Sequence, residues 1–176
     1  MESGGQCFLL QTILWLVLSG RCYSSHLDVQ CLMTLQRSLI DPDNNLKYSW
    51  NFENTTEGVI CNFNGVECWH PDENKVLSLR LSNMNLQGKF PAGLENCYSL
   101  TVLDLSNNKF TGPIPDDISK RIPSAASLNL SYNGFSGNIP SNLSNCSYLN
   151  TLDLQHNQLT GTIPWQISTL KSIDNF

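Results

Sequence analysis

Four segments of this sequence repeat one pattern, in which alternating leucines are followed by a bend and then by a glycine–x–apolar–proline step. The segments are LSLRLSNMNLQGKFPAGLENC, LDLSNNKFTGPIPDDI, LNLSYNGFSGNIPSNLSNC and LDLQHNQLTGTIPWQI, and they recur every 24 or 25 residues. Such a period predicts one strand, one bend and one loose helical turn per coil. Because a single coil cannot bury its own leucines, the coils must stack into a solenoid.

We place the four coils at residues 76–99, 100–124, 125–148 and 149–172. Side chains alternate across a strand, so one pair of leucines from each coil points into a shared core. These pairs are Leu79 and Leu81, Leu103 and Leu105, Leu128 and Leu130, and Leu152 and Leu154. The sequence therefore predicts continuous columns of leucine through the solenoid.

The glycine–x–apolar–proline step begins at Gly88, Gly112, Gly137 and Gly161. Together with the leucine pattern, this step closely resembles the plant-specific class of leucine-rich repeats. The resemblance implies an α/β solenoid with a parallel β-sheet on the concave face and short 3-10 or helical turns on the convex face. It also implies short pairings in a second sheet, with proline limiting the pairing on its far side.

Two segments of different composition precede the coils. Residues 1–24 contain the apolar run FLLQTILWLVL and then small residues, which predicts a secretory signal peptide, although Glu2 stands where a basic residue is usual. The run is too short to span a membrane as a helix. Residues 25–75 predict an N-terminal cap that covers the first coil. The capping-box spacing of Ser25 and Asp28 and the leucines that follow predict a cap helix ending at Asp41–Pro42.

We interpret residues 173–176 as the start of a truncated fifth coil that has no terminal cap. The edge of the fourth coil, which includes Leu154, Leu159 and Ile163, is then expected to be exposed, because capping normally covers such an edge. Residues 25–176 are accordingly expected to be marginally stable or prone to aggregation on their own.

Asn108, Asn133 and Asn157 occupy the bend of the second, third and fourth coils. A buried side-chain amide there can satisfy backbone groups that no strand pairing reaches. Met84 replaces the asparagine in the first coil. We expect the cap, Asn83 or Asn85 to compensate, with a looser backbone at this bend.

The cysteines of the cap predict one disulfide. Of the seven cysteines, Cys7 and Cys22 lie within the predicted signal peptide. Cys61 and Cys68 flank a short glycine-containing turn, which favours a disulfide in a secreted protein. The alternative, a metal pair with His70, lacks the further ligands that a zinc site needs.

Three cysteines remain outside that pair. Cys97 and Cys146 occupy equivalent core positions two coils apart, about 9–10 Å at strand spacing, whereas a disulfide requires less than roughly 7 Å between Cα atoms. We therefore expect both to be separate, buried free thiols. Cys31 lies beside the apolar face of the cap helix, and its pairing stays open. The odd number of cysteines after the signal peptide leaves at least one free thiol or an intermolecular link.

Four Asn-x-Ser/Thr acceptor sequences for N-linked glycans begin at Asn54, Asn129, Asn142 and Asn145. Asn54, in the cap, is the best candidate of the four. Asn129 is expected to point outward from a strand, so that a glycan there would obstruct the concave face. Asn142 and Asn145 are expected on the convex side, where a glycan is harmless to stacking.

The sequence predicts no enzymatic activity, no cofactor and no metal site. The three histidines are dispersed, and no phosphate loop, kinase signature or nucleophile elbow occurs. Asp104 and Asp153 lie about 9–10 Å apart at strand spacing, near the carboxylate separation of inverting glycosidases. Because aspartate is the usual residue at this repeat position, we interpret both as surface residues. The net charge of −5 and the absence of a basic cluster exclude nucleic acid as a partner.

The remaining function for such a scaffold is recognition by its concave face. Outward strand positions begin at Ser78 and Arg80 in the first coil and recur in the others. We predict that protein binding involves Arg80, Asp104, Tyr132, Asp153 and His156. Tyr132 and His156 share one column in adjacent coils and, with Arg80, are the residues best suited to anchor a partner. The alternative is that all of them are ordinary solvated surface.

Beyond the repeat class, residues 28–172 resemble the ectodomains of plant inactive receptor-like kinases that associate with somatic-embryogenesis co-receptor kinases. The resemblance is carried by Cys31, the NTT at Asn54, CNFNGVEC, Met84 and the NC steps at Cys97 and Cys146. It implies a cell-surface domain that binds another leucine-rich-repeat receptor or co-receptor ectodomain and negatively regulates immune or steroid signalling. The membrane anchor and pseudokinase of the family would lie downstream of this sequence. The alternative is a secreted inhibitor of pathogen cell-wall hydrolases that resembles polygalacturonase-inhibiting proteins.

Overall fold

The computed structural model describes residues 26–54 and 56–170, so that the predicted signal peptide, Ser25 and the start of the fifth coil lie outside the described residues. The cap begins with helix α1 (26–38) and continues with α2 (Asn45–Ser49), a 3-10 turn (Val59–Asn62) and strand β1 (Val66–Cys68). The end predicted for α1 at Asp41–Pro42 was wrong. The helix ends earlier because the amide and carbonyl of Ile40 exchange two 2.9 Å hydrogen bonds with those of Gln87.

The concave sheet is formed by β1 and by one strand from each coil. Its order is β1, β2 (Val76–Arg80), β4 (Val102–Asp104), β6 (Ser127–Asn129) and β8 (Thr151–Asp153). Strand β1 is antiparallel to β2, and the later pairs are parallel. The register aligns Leu79, Leu103, Leu128 and Leu152, all of which are buried, as the alternation of side chains predicts.

A second parallel sheet lies along the glycine–x–apolar–proline steps. It contains β3 (Gln87–Gly88), β5 (Lys109–Pro113), β7 (Gly134–Asn138) and β9 (Gln158–Thr160). The convex side is formed by helix α3 (Ile118–Arg121) and by 3-10 turns at Leu94–Asn96, Ser141–Asn145 and Trp165–Thr169. The predicted α/β solenoid, with a parallel concave sheet and short convex turns, is thus confirmed.

The half-buried asparagines at the bends form a hydrogen-bonded ladder between coils. The Asn108 amide nitrogen donates to the carbonyls of Leu81, Leu105 and Ser106 at 2.7, 3.0 and 3.1 Å, and its oxygen accepts from the amides of Met84 and Leu86 at 3.2 and 2.9 Å. Asn133 and Asn157 bridge their neighbouring coils in the same way. Each side chain therefore satisfies backbone groups of two coils at once.

The cap compensates for the missing asparagine at Met84, which is one of the three possibilities expected from the sequence. The side-chain nitrogen of Asn45, at the start of α2, donates to the Met84 carbonyl at 2.9 Å. Asn83 and Asn85, on either side, adopt left-handed backbone conformations with φ of 60° and 55°. Because asparagine tolerates this region better than most residues, the chain can turn here although Met84 provides no side-chain amide.

Two disulfides cross-link the cap. The predicted bond between Cys61 and Cys68 is present, and a second joins Cys31 of α1 to Cys97. The expectation that Cys97 is a free thiol was wrong, because α1 packs beside the first convex turn and brings the two Cα atoms to 5.7 Å. Cys146, by contrast, is a buried free thiol as expected, and burial raises its pKa to about 11.

Close packing of α1 on the first coil depends on Gly93. This residue has φ of +93°, and a Cβ placed on it would lie 2.7 Å from Cβ of Thr34 and 2.9 Å from the carbonyl oxygen of Cys31. Only glycine combines this backbone conformation with so close an approach. The helix and the Leu94–Asn96 turn can therefore touch at the point where the disulfide joins them.

A buried carboxylate connects α1 to the first strand of the solenoid. Asp28 is 4% exposed and accepts a 2.9 Å hydrogen bond from the amide of Val76. Burial raises the pKa of Asp28 to about 6, against the opposing effects of that hydrogen bond and of the Lys75 charge. The junction between cap and coils therefore contains a group that titrates in mildly acidic solution.

Candidate protein-binding surface

A polar column crosses the centre of the concave sheet. The strand register places Arg80, Asp104, Asn129 and Asp153 side by side on β2, β4, β6 and β8. Neighbouring members are separated by one strand spacing, about 4.8 Å. Their side chains line a groove of about 730 Å³ that also includes His156. The structure thus brings four of the five predicted binding residues together along one groove.

Hydrogen bonds to the following backbone hold three of these side chains in position. A side-chain oxygen accepts from the amide two residues later in each coil, from Ser106 to Asp104 at 2.9 Å and from Gln155 to Asp153 at 3.1 Å. The same bond, from Ser131 to Asn129, is 3.0 Å long. Repetition of this local turn gives the column a common orientation with little freedom, which favours recognition by a rigid surface.

Tyr132, the fifth predicted residue, lies at the rim and stacks on His156. Their ring centroids are 4.3 Å apart with an interplanar angle of 21°. Both residues have φ of 53°, in the left-handed region, where Asn83 and Asn107 occupy the equivalent positions of the first two coils. Bulky residues adopt this conformation at a cost of about 1–2 kcal/mol. Two exposed aromatic rings are therefore held in place by strained backbone, which is more common at binding sites than elsewhere.

One residue of the predicted outward-facing set is buried. Ser78, on β2, is only 1% exposed, and its hydroxyl oxygen has no hydrogen-bond partner among the described residues. Strands β1 and β4 flank it on both sides, so the antiparallel cap strand narrows the concave face at this end. The accessible concave face therefore begins at Arg80.

A second exposed surface was not anticipated from the sequence. Three exposed aromatic residues lie along one lateral edge of the concave sheet: Trp69, Tyr98 and Tyr148, which are 48%, 58% and 67% exposed. The two tyrosines precede β4 and β8, whereas Trp69 directly follows β1, which ends at this edge because it is antiparallel to β2. The Trp69 indole donates a 3.3 Å hydrogen bond to the carbonyl of Ser99 and lies 5.5 Å from Nζ of Lys75. The signal in the sequence was an aromatic residue shortly before the leucine strand of the second and fourth coils, and another directly after Cys68.

The four glycan acceptor sequences fall on three different faces. Asn54 is exposed on the cap, and its side-chain oxygen accepts from the amide of Thr56 at 3.0 Å. Asn142 and Asn145 lie in a convex 3-10 turn, where Asn142 accepts a hydrogen bond from the Ser119 hydroxyl. Asn129 lies on β6, in the centre of the concave sheet.

The described residues contain no helix long and apolar enough to cross a membrane, and no cluster of three or more potential metal ligands. The concave face presents a parallel sheet with fixed polar and aromatic side chains, a geometry suited to binding a protein.

The concave sheet, the asparagine bends and the glycine–x–apolar–proline steps define a leucine-rich-repeat domain of the plant type. A leucine-rich-repeat N-terminal domain matches residues 25–69, and leucine-rich repeats match residues 99–120, 126–146 and 148–170. The crystal structure of the BIR2 ectodomain from Arabidopsis thaliana is 48% identical, with a TM-score of 0.83 over 85% of this chain and 77% of that one. The chain therefore belongs to the family of leucine-rich-repeat ectodomains of plant receptor-like kinases that includes BIR2.

Full-length relatives are much longer. The inactive receptor-like kinase BIR2 of Arabidopsis thaliana is 50% identical over 100 residues, which cover 57% of this chain and 16% of BIR2. A probably inactive leucine-rich-repeat receptor-like kinase, At5g48380, is 47% identical over 116 residues, which cover 66% of this chain and 18% of that protein. A chain in the crystal structure of the BIR3–SERK2 complex is 42% identical, with a TM-score of 0.81 over 85% of this chain and 79% of that one.

Proposed function

We propose that this chain is an extracellular domain that binds a co-receptor ectodomain and thereby restrains immune or steroid signalling at the plant cell surface. The observation that carries the proposal is the similarity to a chain crystallised in the BIR3–SERK2 complex, of which 79% is covered. The domain acts by binding and has no catalytic activity of its own. It reaches the cell surface through the secretory pathway, either anchored by a downstream segment or released.

The binding surface in this proposal is the concave groove with its rim. Arg80, Asp104 and Asp153 supply charges of both signs, and Tyr132 and His156 supply the apolar anchor. Tyr132 is 49% exposed before binding, so a partner can still cover about half of its surface. Aromatic residues and arginine are the commonest sources of large binding energy in protein interfaces.

Binding to a purified SERK2 ectodomain tests the proposal. The double variant Tyr132→Ala/His156→Ala should weaken binding by about 10- to 100-fold, because losing an interface anchor typically costs 1–3 kcal/mol. Tyr98→Ala/Tyr148→Ala is the matched control, since it removes two exposed rings from the lateral edge and should change affinity less than threefold.

Three results would be informative in different ways. Loss of binding in the concave variant alone supports both the partner and the surface. Loss in the lateral variant alone keeps the partner and refutes the concave surface. Failure of the chain produced without N-linked glycans to bind SERK2 at micromolar concentration refutes the proposed function. Circular dichroism of each variant distinguishes these effects from unfolding.

A further inference from the structure

We propose that Asn129 carries an N-linked glycan in a fraction of the secreted chains, and that this glycan closes the concave face to a protein partner. The claim that the glycan closes the concave face rests on the proposed function.

Asn129 is at the centre of the surface that a partner would cover. Its strand, β6, lies between β4 and β8, and its register neighbours are Asp104 and Asp153. Each neighbour is about 4.8 Å away, and a glycan is a bulky, hydrated group. A branched sugar chain on Asn129 therefore stands between the two carboxylates and over the groove that they line.

The hydrogen bonds of Asn129 leave its nitrogen available. The side-chain oxygen accepts from the amide of Ser131 at 3.0 Å and from the Ser131 hydroxyl at 2.7 Å. Within the described part of the chain, the side-chain nitrogen Nδ2 makes no hydrogen bond. Because Nδ2 is the atom that is glycosylated, the modified side chain can keep both hydrogen bonds and the strand its pairing.

The transfer itself is the ordinary one of the secretory pathway. A lipid-linked oligosaccharyl diphosphate provides the sugar, a bond forms between Nδ2 and the first sugar carbon, and the bond from that carbon to the diphosphate breaks. The lipid diphosphate leaves, and Nδ2 loses one proton. Transfer takes place on the unfolded chain, so burial of Ser131 to 2% exposure in the folded domain does not prevent it.

The other acceptor sites lie away from the concave sheet. Asn54 is on the cap, and Asn142 and Asn145 are in the convex turn Ser141–Asn145. Glycans at these positions add solubility without covering the groove. Asn145, which is exposed, therefore provides a matched control for the effect of losing one glycan.

The experiment begins with the 176-residue chain secreted from plant cells. Peptide mass spectrometry after enzymatic deglycosylation, which converts each glycosylated asparagine to aspartate, should find a glycan at Asn129. Affinity for the SERK2 ectodomain is then compared between the glycosylated chain, Asn129→Gln and Asn145→Gln. We expect Asn129→Gln to bind at least tenfold more tightly and Asn145→Gln to match the unaltered chain.

Ser131→Ala, which removes the acceptor sequence but keeps the asparagine, should reproduce the gain, whereas Ser131→Thr should not. Absence of a glycan at Asn129 overturns the inference. Equal affinity with and without the Asn129 glycan overturns the closing role while the proposed function stands. Binding by none of the forms refutes the proposed function, and the closing role with it.

Discussion

The Cys31–Cys97 disulfide should contribute more to stability than any other cross-link in the described structure. Its cysteines are 66 residues apart, whereas Cys61 and Cys68 are 7 residues apart. A cross-link restricts the unfolded chain, and the entropy that it removes grows with the logarithm of the loop length. At 25 °C this relation gives about 4 kcal/mol for the longer loop and about 2 kcal/mol for the shorter one.

The test compares Cys31→Ala/Cys97→Ala with Cys61→Ala/Cys68→Ala in urea unfolding at neutral pH. Trp50, which is buried at 2% exposure in the cap, reports unfolding by its fluorescence. Linear extrapolation gives the free energy of unfolding of each protein. Cys146→Ala is the control, because it removes a buried sulfur without breaking a cross-link and should cost about 1 kcal/mol.

The loop-length reasoning is tested by the difference in free energy of unfolding between the two double variants. A loss for the Cys31–Cys97 variant that is about 2 kcal/mol larger than for the other supports the loop-length reasoning. Equal losses, or a larger loss for the shorter loop, would refute it. Thiol labelling of the unaltered unfolded protein should also find one free cysteine after the signal peptide, and three would contradict the second disulfide.

Three further predictions concern the buried contacts of the solenoid. Asp28→Asn should reduce the pH dependence of stability. Folding raises the pKa of Asp28 from 3.8 to about 6, so the free energy of unfolding is higher below pH 4 and falls by about 3 kcal/mol as the pH rises to 6. Urea unfolding at pH 4 and pH 7 should show this fall in the unaltered chain and a smaller one in the variant. Asn108→Ala should cost at least 3 kcal/mol, because it leaves backbone groups of two coils unpaired. Asn138→Ala, at an exposed position of β7, should cost under 1 kcal/mol, and similar losses for the two variants in chemical denaturation would contradict the ladder. Gly93→Ala should lower the melting temperature more than Gly112→Ala, because both residues have positive φ but a Cβ at Gly112 meets nothing closer than 3.8 Å. Equal shifts would mean that the close approach of α1 to Gly93 is unimportant for stability.

Much of the fold could be predicted because the leucine period fixes which residues face inward. The aligned leucines of the concave sheet and the bridging role of Asn108 follow from alternation and from the need to pair buried backbone groups. The Cys31–Cys97 bond could not be predicted in this way. The spacing along the coils correctly predicts that Cys97 does not pair with Cys146, but it does not predict where the cap helix packs.

The candidate site was predictable in its position and less so in its accessibility. Arg80, Asp104 and Asp153 share a groove because parallel strands in register align equivalent residues. Burial of Ser78 depends on β1, an antiparallel strand outside the repeat, and no period describes it. Stacking of Tyr132 on His156 depends on a left-handed backbone at both positions, which the leucine period does not describe.

The cap gives the solenoid a direction. At the first coil, β1 reverses the strand direction of the concave sheet, and the Ile40–Gln87 pair closes the edge of the second sheet. An extra coil inserted before residue 76 would have to break both pairings, whereas one inserted between later coils meets parallel strands like its own. Changes in coil number, whether by gene duplication or by engineering, are therefore tolerated only downstream of the cap, and the Arg80 end of the groove keeps its form whatever the length of the array.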